Sequence, residues 1–240
     1  MKRLNTEDVK IITLEDPIEY KLKGINQSQI DHDKEYTFNK GLRSILRQDP
    51  DIVMVGEIRD KETADTAIQA ALTGHLLLST IHTNDAAGAV PRFLSMGVEP
   101  ALLAPALRII MAQRLVRRLC TECAKPAELS AEQMERVTNI VSAIPENSGE
   151  SPDLSSAKFM APHAEGCTKC NSGYKGRVGV YEILVVDQAV EEHIRARSVT
   201  DAEMREIAHA QGMVTMEQDG LLKAMEGQTS INEIFRVAAS

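Results

Sequence analysis

Residues 46–60 read LRQDPDIVMVGEIRD, and this stretch decides the fold class. Its centre is a four-residue apolar run, Ile52–Val55, which is preceded by Pro50 and closed by Gly56. A continuous apolar run between turn residues is typical of a parallel strand that is covered on both faces. Because the charged residues stand only at the ends of the run, Glu57 is predicted to follow a buried strand directly.

A carboxylate directly after a buried parallel strand is a candidate for positioning a metal ion or a water. In open α/β sheets, ligands bind outside the carboxyl ends of the strands, and carboxylate oxygens are ligands for Mg²⁺. Arg59 and Asp60 are placed to brace Glu57 by ion pairing. Taken alone, the stretch is equally compatible with a solvated turn after an ordinary strand, so the other segments decide between the two interpretations.

An earlier segment repeats the design of an apolar strand followed by acidic residues. The run Ile11–Leu14 leads directly into Glu15 and Asp16, and Pro17 follows them. Proline cannot donate a hydrogen bond to a sheet, so it ends the strand and leaves the two carboxylates at its carboxyl end.

A third apolar run, Leu76–Leu78, follows His75 and leads towards His82. Between the strands, apolar residues recur at helical spacing in residues 38–46 and 62–72. Strands that alternate with helices predict an α/β fold with a parallel sheet.

These three motifs resemble those of the secretion and pilus-assembly ATPases of type II secretion and type IV pilus systems. Residues 46–60 are similar to that family's Walker B motif, residues 12–20 to its acidic Asp box, and residues 73–86 to its His box. The motifs are long and stand in the family's order, and the resemblance covers nearly the whole chain. It implies a RecA-like P-loop NTPase core, truncated at its N-terminal side, that uses ATP and Mg²⁺.

The resemblance also implies roles for individual residues. Glu57 would help to hold Mg²⁺ and its water shell, and Glu15 would polarise the attacking water. Which of the two is the general base stays open, because both follow strands and both could reach a magnesium-bound water. His75 and His82 would couple the phosphate region to neighbouring strands or subunits. The other residues expected near nucleotide and metal are Asp16, Arg59 and Asp60.

Nucleotide hydrolases of this kind need a phosphate loop, Gly-x-x-x-x-Gly-Lys-Ser/Thr. The 240 residues contain no such stretch, and the glycine-rich Gly173–Arg177 lacks its Gly-Lys-Ser/Thr end. In the family the loop precedes the segment that begins here at Lys2. The chain is therefore expected to be the downstream part of an ATPase and to hydrolyse ATP alone very slowly or not at all. The strand at Leu76–Ser79 is expected to have an open edge.

All four cysteines belong to two Cys-x-x-Cys pairs, which residues 124–166 separate. Two such pairs complete a closed four-thiolate site, so structural Zn²⁺ is predicted at Cys120, Cys123, Cys167 and Cys170. Iron on the same thiolates stays an alternative. Disulfides are disfavoured because nothing at the N-terminus resembles a signal peptide, which indicates a reducing compartment.

The sequence predicts three consecutive parts. Residues 1–119 form the RecA-like nucleotide-hydrolysis core, residues 120–185 a tetracysteine zinc module with a flexible insert at 144–166, and residues 186–240 a C-terminal helical region. Capping boxes are predicted at Thr200 and Ser230, each with a Glu three residues later. A helix that leads into the first cysteine pair is expected to carry a basic cluster, which comprises Arg108, Arg114, Arg117 and Arg118.

Charge and hydropathy bound the partners. A net charge of −8 and a pI of about 5.3 give no general attraction to nucleic acid, so no direct nucleic-acid binding is expected. The apolar stretch Ala101–Ala112 is shorter than the ~20 residues that span a bilayer, so membrane association is expected to be peripheral. The resemblance implies a homo-hexamer in the cytoplasm, which works at the inner membrane with the platform proteins of a secretion or pilus system.

Three functions are compatible with these features. The leading one is the C-terminal part of a motor ATPase for protein export or pilus assembly. The second is a non-catalytic, zinc-containing accessory or interaction subunit of such a motor. The third, a metal hydrolase with Glu15, Glu57, His75 and His82 as ligands, is disfavoured because no His-Glu-x-x-His helix or similar ligand spacing is present.

Overall fold

The computed structural model describes residues 1–196 and 199–238. Its strands are β1 (Ile11–Glu15), β2 (Asn26–Gln29), β3 (Ile52–Val55), β4 (Leu76–Ser79), β5 (Ile109–Leu119), β6 (Lys125–Pro126), β7 (Met160–Ala161) and β8 (Tyr174–Val185). Its helices are α1 (Phe38–Ile45), α2 (Lys61–Leu72), α3 (Ala89–Ser95), α4 (Pro100–Ala106), α5 (Ala131–Ser142), α6 (Gln188–Arg195), α7 (Asp201–Gln211), α8 (Met216–Met225) and α9 (Ile231–Val237).

The chain divides into two compact units. Unit 1 contains Met1–Asn84, Gly88–Arg108 and Val186–Asp201, and unit 2 contains Asp85–Ala87, Ile109–Val185 and Ala202–Ser240. The units interleave along the chain, so that a three-residue segment of unit 2 interrupts unit 1 just after His82.

Unit 1 is built on a parallel sheet with strand order β2-β1-β3-β4. The strands predicted at Ile11–Leu14, Ile52–Val55 and Leu76–Leu78 are all present, which confirms the α/β fold with a parallel sheet. The register pairs Leu14 with Val55, and Val55 with Ser79. The carboxyl ends of β1, β3 and β4 therefore lie at the same edge of the sheet.

Two elements differ from the sequence-based expectation. The strand β2 was not predicted, because its sequence Asn-Gln-Ser-Gln carries no apolar pattern, and it lies at an edge of the sheet. The basic stretch that ends at Arg118 was expected to be helical, and this was wrong: it lies in β5, which pairs antiparallel with β8 along nearly its whole length. Long-range pairing overrides the helical pattern of the isolated segment.

The open edge expected for the third strand is present. Within the described sheet β4 pairs with β3 only, and its Leu76 and Leu78 side chains are 49% and 37% exposed. Unpaired backbone groups beside exposed leucines form a template for pairing with another chain.

We therefore expect the 240-residue polypeptide to self-associate as its concentration rises. The double variant Leu76→Lys/Leu78→Lys should lower this association, because charged side chains block edge pairing. Sedimentation velocity over a concentration series measures it. Leu72→Lys is the matched control, since Leu72 is similarly exposed but ends α2 rather than lying on the strand. If control and double variant lower association equally, the edge is not its cause.

Unit 2 packs helices against the β5–β8 ribbon. Val116, Val180, Leu221 and Ile234 are fully buried in its core. The predicted strand near Val178 is confirmed as part of β8, and helices α7 to α9 confirm that the chain ends in helices. The insert expected to be a loop at residues 144–166 contains two short 3-10 turns and β7, which pairs with β6.

A buried carboxylate joins α9 to β5 in this unit. Glu233 is 1% exposed and accepts hydrogen bonds from the backbone N–H and guanidinium of Arg117 and from Arg236. The Arg117 guanidinium also lies 4.1 Å from the centre of the Tyr174 ring. Ser230 caps α9 as predicted, but the Glu233 side chain does not return to the Ser230 N–H, so only half of that capping box forms.

This carboxylate should make the stability of unit 2 depend on pH. Burial alone would raise the pKa of Glu233, but the bonds from Arg117 and Arg236 outweigh burial and lower the pKa from 4.5 to about 2. A lowered pKa stabilises the folded state above pH 4.5, and this contribution is lost as the pH falls towards 2. Glu233→Gln should cost about 2 kcal/mol at neutral pH, less than a fully buried pair, because both guanidinium groups are half-exposed.

Chemical denaturation at pH 7 and pH 3 measures this effect. The Glu233→Gln penalty should be clearly smaller at pH 3 than at pH 7. The exposed Glu135, changed to Gln, is the matched control and should alter stability little at either pH. A penalty that is equal at both pH values would contradict the charge-based explanation.

Candidate functional site

Glu57 follows β3 directly, as predicted, and it is 9% exposed. Its Oε2 accepts a bond from Arg59 Nε at 2.6 Å and from His82 Nε2 at 2.9 Å. In the described part of the chain no side chain or backbone group donates to its other oxygen, Oε1. One oxygen of this nearly buried carboxylate is thus held in place, and the other is left to bind a ligand.

Glu15 ends the neighbouring strand β1, and its carboxylate is held in the same way. Its Oε1 accepts from Thr13 Oγ1 at 2.5 Å and from Gln27 Nε2 at 2.8 Å. Among the described residues, Oε2 of Glu15 has no donor. The sequence analysis missed Thr13 and Gln27, because Gln27 lies on the polar strand β2, which carries no apolar pattern.

Backbone and hydroxyl contacts fix the loop that carries Glu57. The Gly56 N–H donates to the Leu14 carbonyl at 2.7 Å, and the Ile58 N–H donates to the Thr80 carbonyl at 2.9 Å. Thr80 Oγ1 in turn donates to the Gly56 carbonyl at 2.7 Å. A Cβ atom at Gly56 would lie 3.1 Å from the Leu14 carbonyl oxygen, so a side chain fits poorly there. This close packing is a local reason why the chain has no aspartate at that position.

Two other predicted acidic residues have local partners. Asp16 accepts from His32 Nε2 at 3.1 Å near the carboxyl end of β1. Asp60 is the N-cap of α2, and its two oxygens accept from the Thr63 N–H and the Thr63 hydroxyl. Asp60 therefore begins a helix, and its carboxylate is occupied by that contact.

His75 lies apart from the other predicted site residues. It precedes β4, whereas Glu15, Glu57 and His82 all follow their strands, and its Nδ1 donates to the Ala70 carbonyl at 3.1 Å. The strand separates the two edges of the sheet by roughly 16 Å. The structure thus brings Glu57 and His82 together but not His75. The metal-hydrolase hypothesis, which needed His75 and His82 at one ion, has no support in this geometry.

The arrangement at this edge suits a reaction that needs two positioned carboxylates. Glu15 and Glu57 end adjacent parallel strands, and each offers one oxygen without a donor beside one that is held. A carboxylate held in this way can orient a water directly or hold the water shell of a divalent cation. Arg59 and His82 balance the charge of Glu57 where it is nearly buried.

A second candidate site is formed by the four cysteines, which lie in unit 2. Their sulfur atoms all lie within 4.8 Å of one another. Neighbouring sulfurs are 3.9 Å apart in the pair Cys120 and Cys167, and 3.6 Å apart in the pair Cys123 and Cys170. A tetrahedral ion with Zn–S bonds of about 2.3 Å places its sulfurs about 3.8 Å apart. The cluster can therefore bind a metal, and the cysteines form no disulfides.

The protein environment already favours a thiolate at one of these positions. Burial raises the pKa of Cys170, but the Cys167 N–H, which donates to its Sγ at 3.2 Å, and the neighbouring thiols lower it to about 7. Burial and the other thiols raise the pKa of Cys123 to about 12. Such opposed shifts are expected when thiols crowd together without a cation to balance thiolate charge.

No helix in residues 1–196 and 199–238 is both long and apolar enough to cross a membrane.

Comparison with known protein families gives a match along almost the whole chain. The model of the family described as "Type II/IV secretion system protein" matches residues 1–236. The chain is 44% identical over 238 residues to the type II secretion system protein E of Aeromonas hydrophila, covering 99% of this chain and 44% of that protein. It is also 44% identical over 240 residues to the type IV pilus assembly ATPase PilB of Thermus thermophilus, covering 98% of this chain and 25% of that protein.

Solved structures show the same fold. The pilus retraction motor PilT with bound ADP matches with a TM-score of 0.67 and 26% identity, over 100% of this chain and 55% of that one. The ATPase DotB of Legionella pneumophila matches with a TM-score of 0.63 at 21% identity, over 97% of this chain and 53% of that one, and supports the fold alone. The chain thus spans less than half the length of the curated relatives described above.

Proposed function

We propose, because this chain belongs to the type II/IV secretion system protein family, that it supplies the catalytic carboxylates of a motor ATPase for protein export or pilus assembly. The observation that carries the proposal is the pair Glu15 and Glu57 at the carboxyl ends of adjacent parallel strands. ATP and Mg²⁺ are the corresponding ligands, and they would supply the phosphoryl group and the cation that neutralises its charge.

The two carboxylates take different roles in this proposal. Glu57 would hold the water shell of the cation through Oε1, while Arg59 and His82 fix its other oxygen. Glu15 would orient the attacking water and accept its proton, since its held oxygen contacts only the neutral donors Thr13 and Gln27, so its full negative charge faces the site. Asp16 would lie beside the site, and Asp60 would act through α2.

The four cysteines would hold a structural Zn²⁺. A closed four-thiolate set leaves no open position for catalysis, and the sulfur separations fit a tetrahedral ion. In this role the ion would join the turns around Cys120 and Cys167 within unit 2.

The family membership extends the proposal to partners and location. We infer a homo-hexamer that works on the cytoplasmic side of the inner membrane, in contact with platform proteins. Peripheral association agrees with the absence, in the described residues, of a helix that could cross a membrane.

A polypeptide of these 240 residues should not hydrolyse ATP on its own. It contains no Gly-x-x-x-x-Gly-Lys-Ser/Thr stretch, so no backbone cradle or lysine is available for the phosphates. Coupled-enzyme assays of phosphate release should give no turnover above the background of a Glu15→Gln variant. Turnover comparable to that of a complete motor would contradict the need for a phosphate loop.

The alternative, a non-catalytic zinc-containing subunit of the motor, gives a different result when the loop is supplied. If this chain is joined to a phosphate loop and ATP hydrolysis then does not depend on Glu15 or Glu57, the accessory role is favoured.

A further inference from the structure

A third carboxylate, Glu182 on β8, is nearly buried and lies outside the site described above. It is 6% exposed and belongs to unit 2. Its Oε2 accepts from the Ala86 N–H at 2.9 Å, and its Oε1 accepts from the Met216 N–H at 3.0 Å. Both oxygens of this carboxylate are therefore used by backbone donors.

The Met216 contact anchors the carboxylate itself. Met216 is the first residue of α8, so its N–H points out of the helix N-terminus, where the helix dipole favours negative charge. Hydrogen bonds from backbone N–H groups to a carboxylate are stronger than those between neutral groups. Glu182 is thus held firmly on one side and offers a strong acceptor to Ala86 on the other.

The Ala86 contact lies directly downstream of the loop that carries His82. Ala86 and Ala87 are each 1% exposed, and the preceding Asp85 accepts two bonds from the Arg205 guanidinium, at 2.7 and 3.0 Å. At its upstream end the same loop is tied to the Glu57 loop through Thr80. The residues between these two anchors are 81–84, and they include His82.

His82 depends on its backbone for its position. Its side chain is 78% exposed, so packing holds the ring weakly, yet its Nε2 meets the Glu57 oxygen at 2.9 Å. An exposed side chain keeps one geometry only when the backbone on both sides of it is held.

We propose that Glu182 is a positioning residue for His82: by binding the Ala86 N–H, it fixes the downstream end of the loop and keeps the imidazole in contact with Glu57. The inference rests on the proposed function, in which Glu57 is part of the hydrolysis site. It assigns to the C-terminal unit a direct part in shaping that site through the chain segment Asp85–Ala87.

Nuclear magnetic resonance of the 240-residue chain tests this without any need for ATP turnover. The test variant is Glu182→Gln, in which one acceptor oxygen is replaced by a donor NH₂, so the carboxylate no longer serves both N–H groups. We expect hydrogen exchange of the Ala86 amide to become at least about tenfold faster. The cross-relaxation signal between the His82 ring and the Glu57 side chain should weaken several-fold.

The matched control is Glu233→Gln, which removes the charge of another buried carboxylate of unit 2. It should destabilise unit 2 but leave the signal between His82 and Glu57 unchanged, so a general loss of stability is distinguished from a positioning role. If Glu182→Gln does not fold, Glu182→Asp keeps the charge but shortens the side chain, and it should weaken the same signal.

The outcomes separate the two proposals. A signal between His82 and Glu57 that persists unchanged in the folded Glu182 variant overturns the positioning role. A signal that is absent from the unchanged chain contradicts the arrangement of Glu57 and His82, on which the proposed function relies.

Discussion

Glu57→Gln should lower ATP hydrolysis by about 100-fold or more in a motor that contains this chain. The motor for this test is a chimera in which the upstream part of a type II secretion relative, with its phosphate loop, is joined to Met1. Gln keeps the size of Glu and can still accept a bond from Arg59, but it carries no charge to hold a hydrated cation. Turnover under saturating ATP and Mg²⁺ measures the loss.

The control for this experiment is Glu62→Gln in the same chimera. Glu62 lies in the first turn of α2 with a side chain that is 69% exposed, and it makes a long ion pair of 3.6 Å with Arg43. Its substitution should leave turnover nearly unchanged. If Glu57→Gln hydrolyses ATP as fast as the Glu62 variant, the role assigned to Glu57 is wrong.

Removing metal from the cysteine cluster is expected to have the second large effect. Structural Zn²⁺ contributes of order 10 kcal/mol to the folding of isolated zinc-finger peptides. In this chain the cluster is attached to a packed unit, so the loss should be concentrated in the turns that carry Cys120 and Cys167. Chelation or Cys120→Ser should lower the thermal midpoint of unit 2 more than that of unit 1.

Metal analysis and thiol counting measure this directly. One zinc ion per chain is expected, and the cysteines should react with a thiol reagent only after chelation, since all cysteines of the chain belong to the cluster. Lys169→Ala is the control, because it breaks an exposed ion pair with Glu122 at the same turns without touching a thiol. Iron in place of zinc would change the ion assigned, and thiols that react at once without chelation would contradict a metal site.

The parts of the fold that the sequence predicted are those with strong local patterns. The runs at Ile11–Leu14 and Ile52–Val55 are nearly all apolar and are bounded by proline or glycine, so both their strand character and the position of the following carboxylates could be inferred. The spacing of the cysteine pairs likewise predicted a cluster that the structure confirms as able to bind metal.

The parts that the sequence could not predict depend on contacts between distant residues. The strand β5 carries arginines at spacings that suit a helix, and only its partner β8, far along the chain, makes it a strand. Gln27 and His82 contact Glu15 and Glu57 because neighbouring strands bring them together. The separation of His75 from His82 likewise follows from the direction of β4 and not from their closeness in sequence.

The most direct test of the central claim is a comparison of ATP turnover between the chimera and its Glu15→Gln/Glu57→Gln double variant, after both are shown to be folded and assembled alike. We expect the intact chimera to hydrolyse ATP at a rate comparable to the relative that supplied its upstream part, and the double variant to show only background. Equal turnover in the two proteins would contradict the claim that this chain supplies the catalytic carboxylates of the motor.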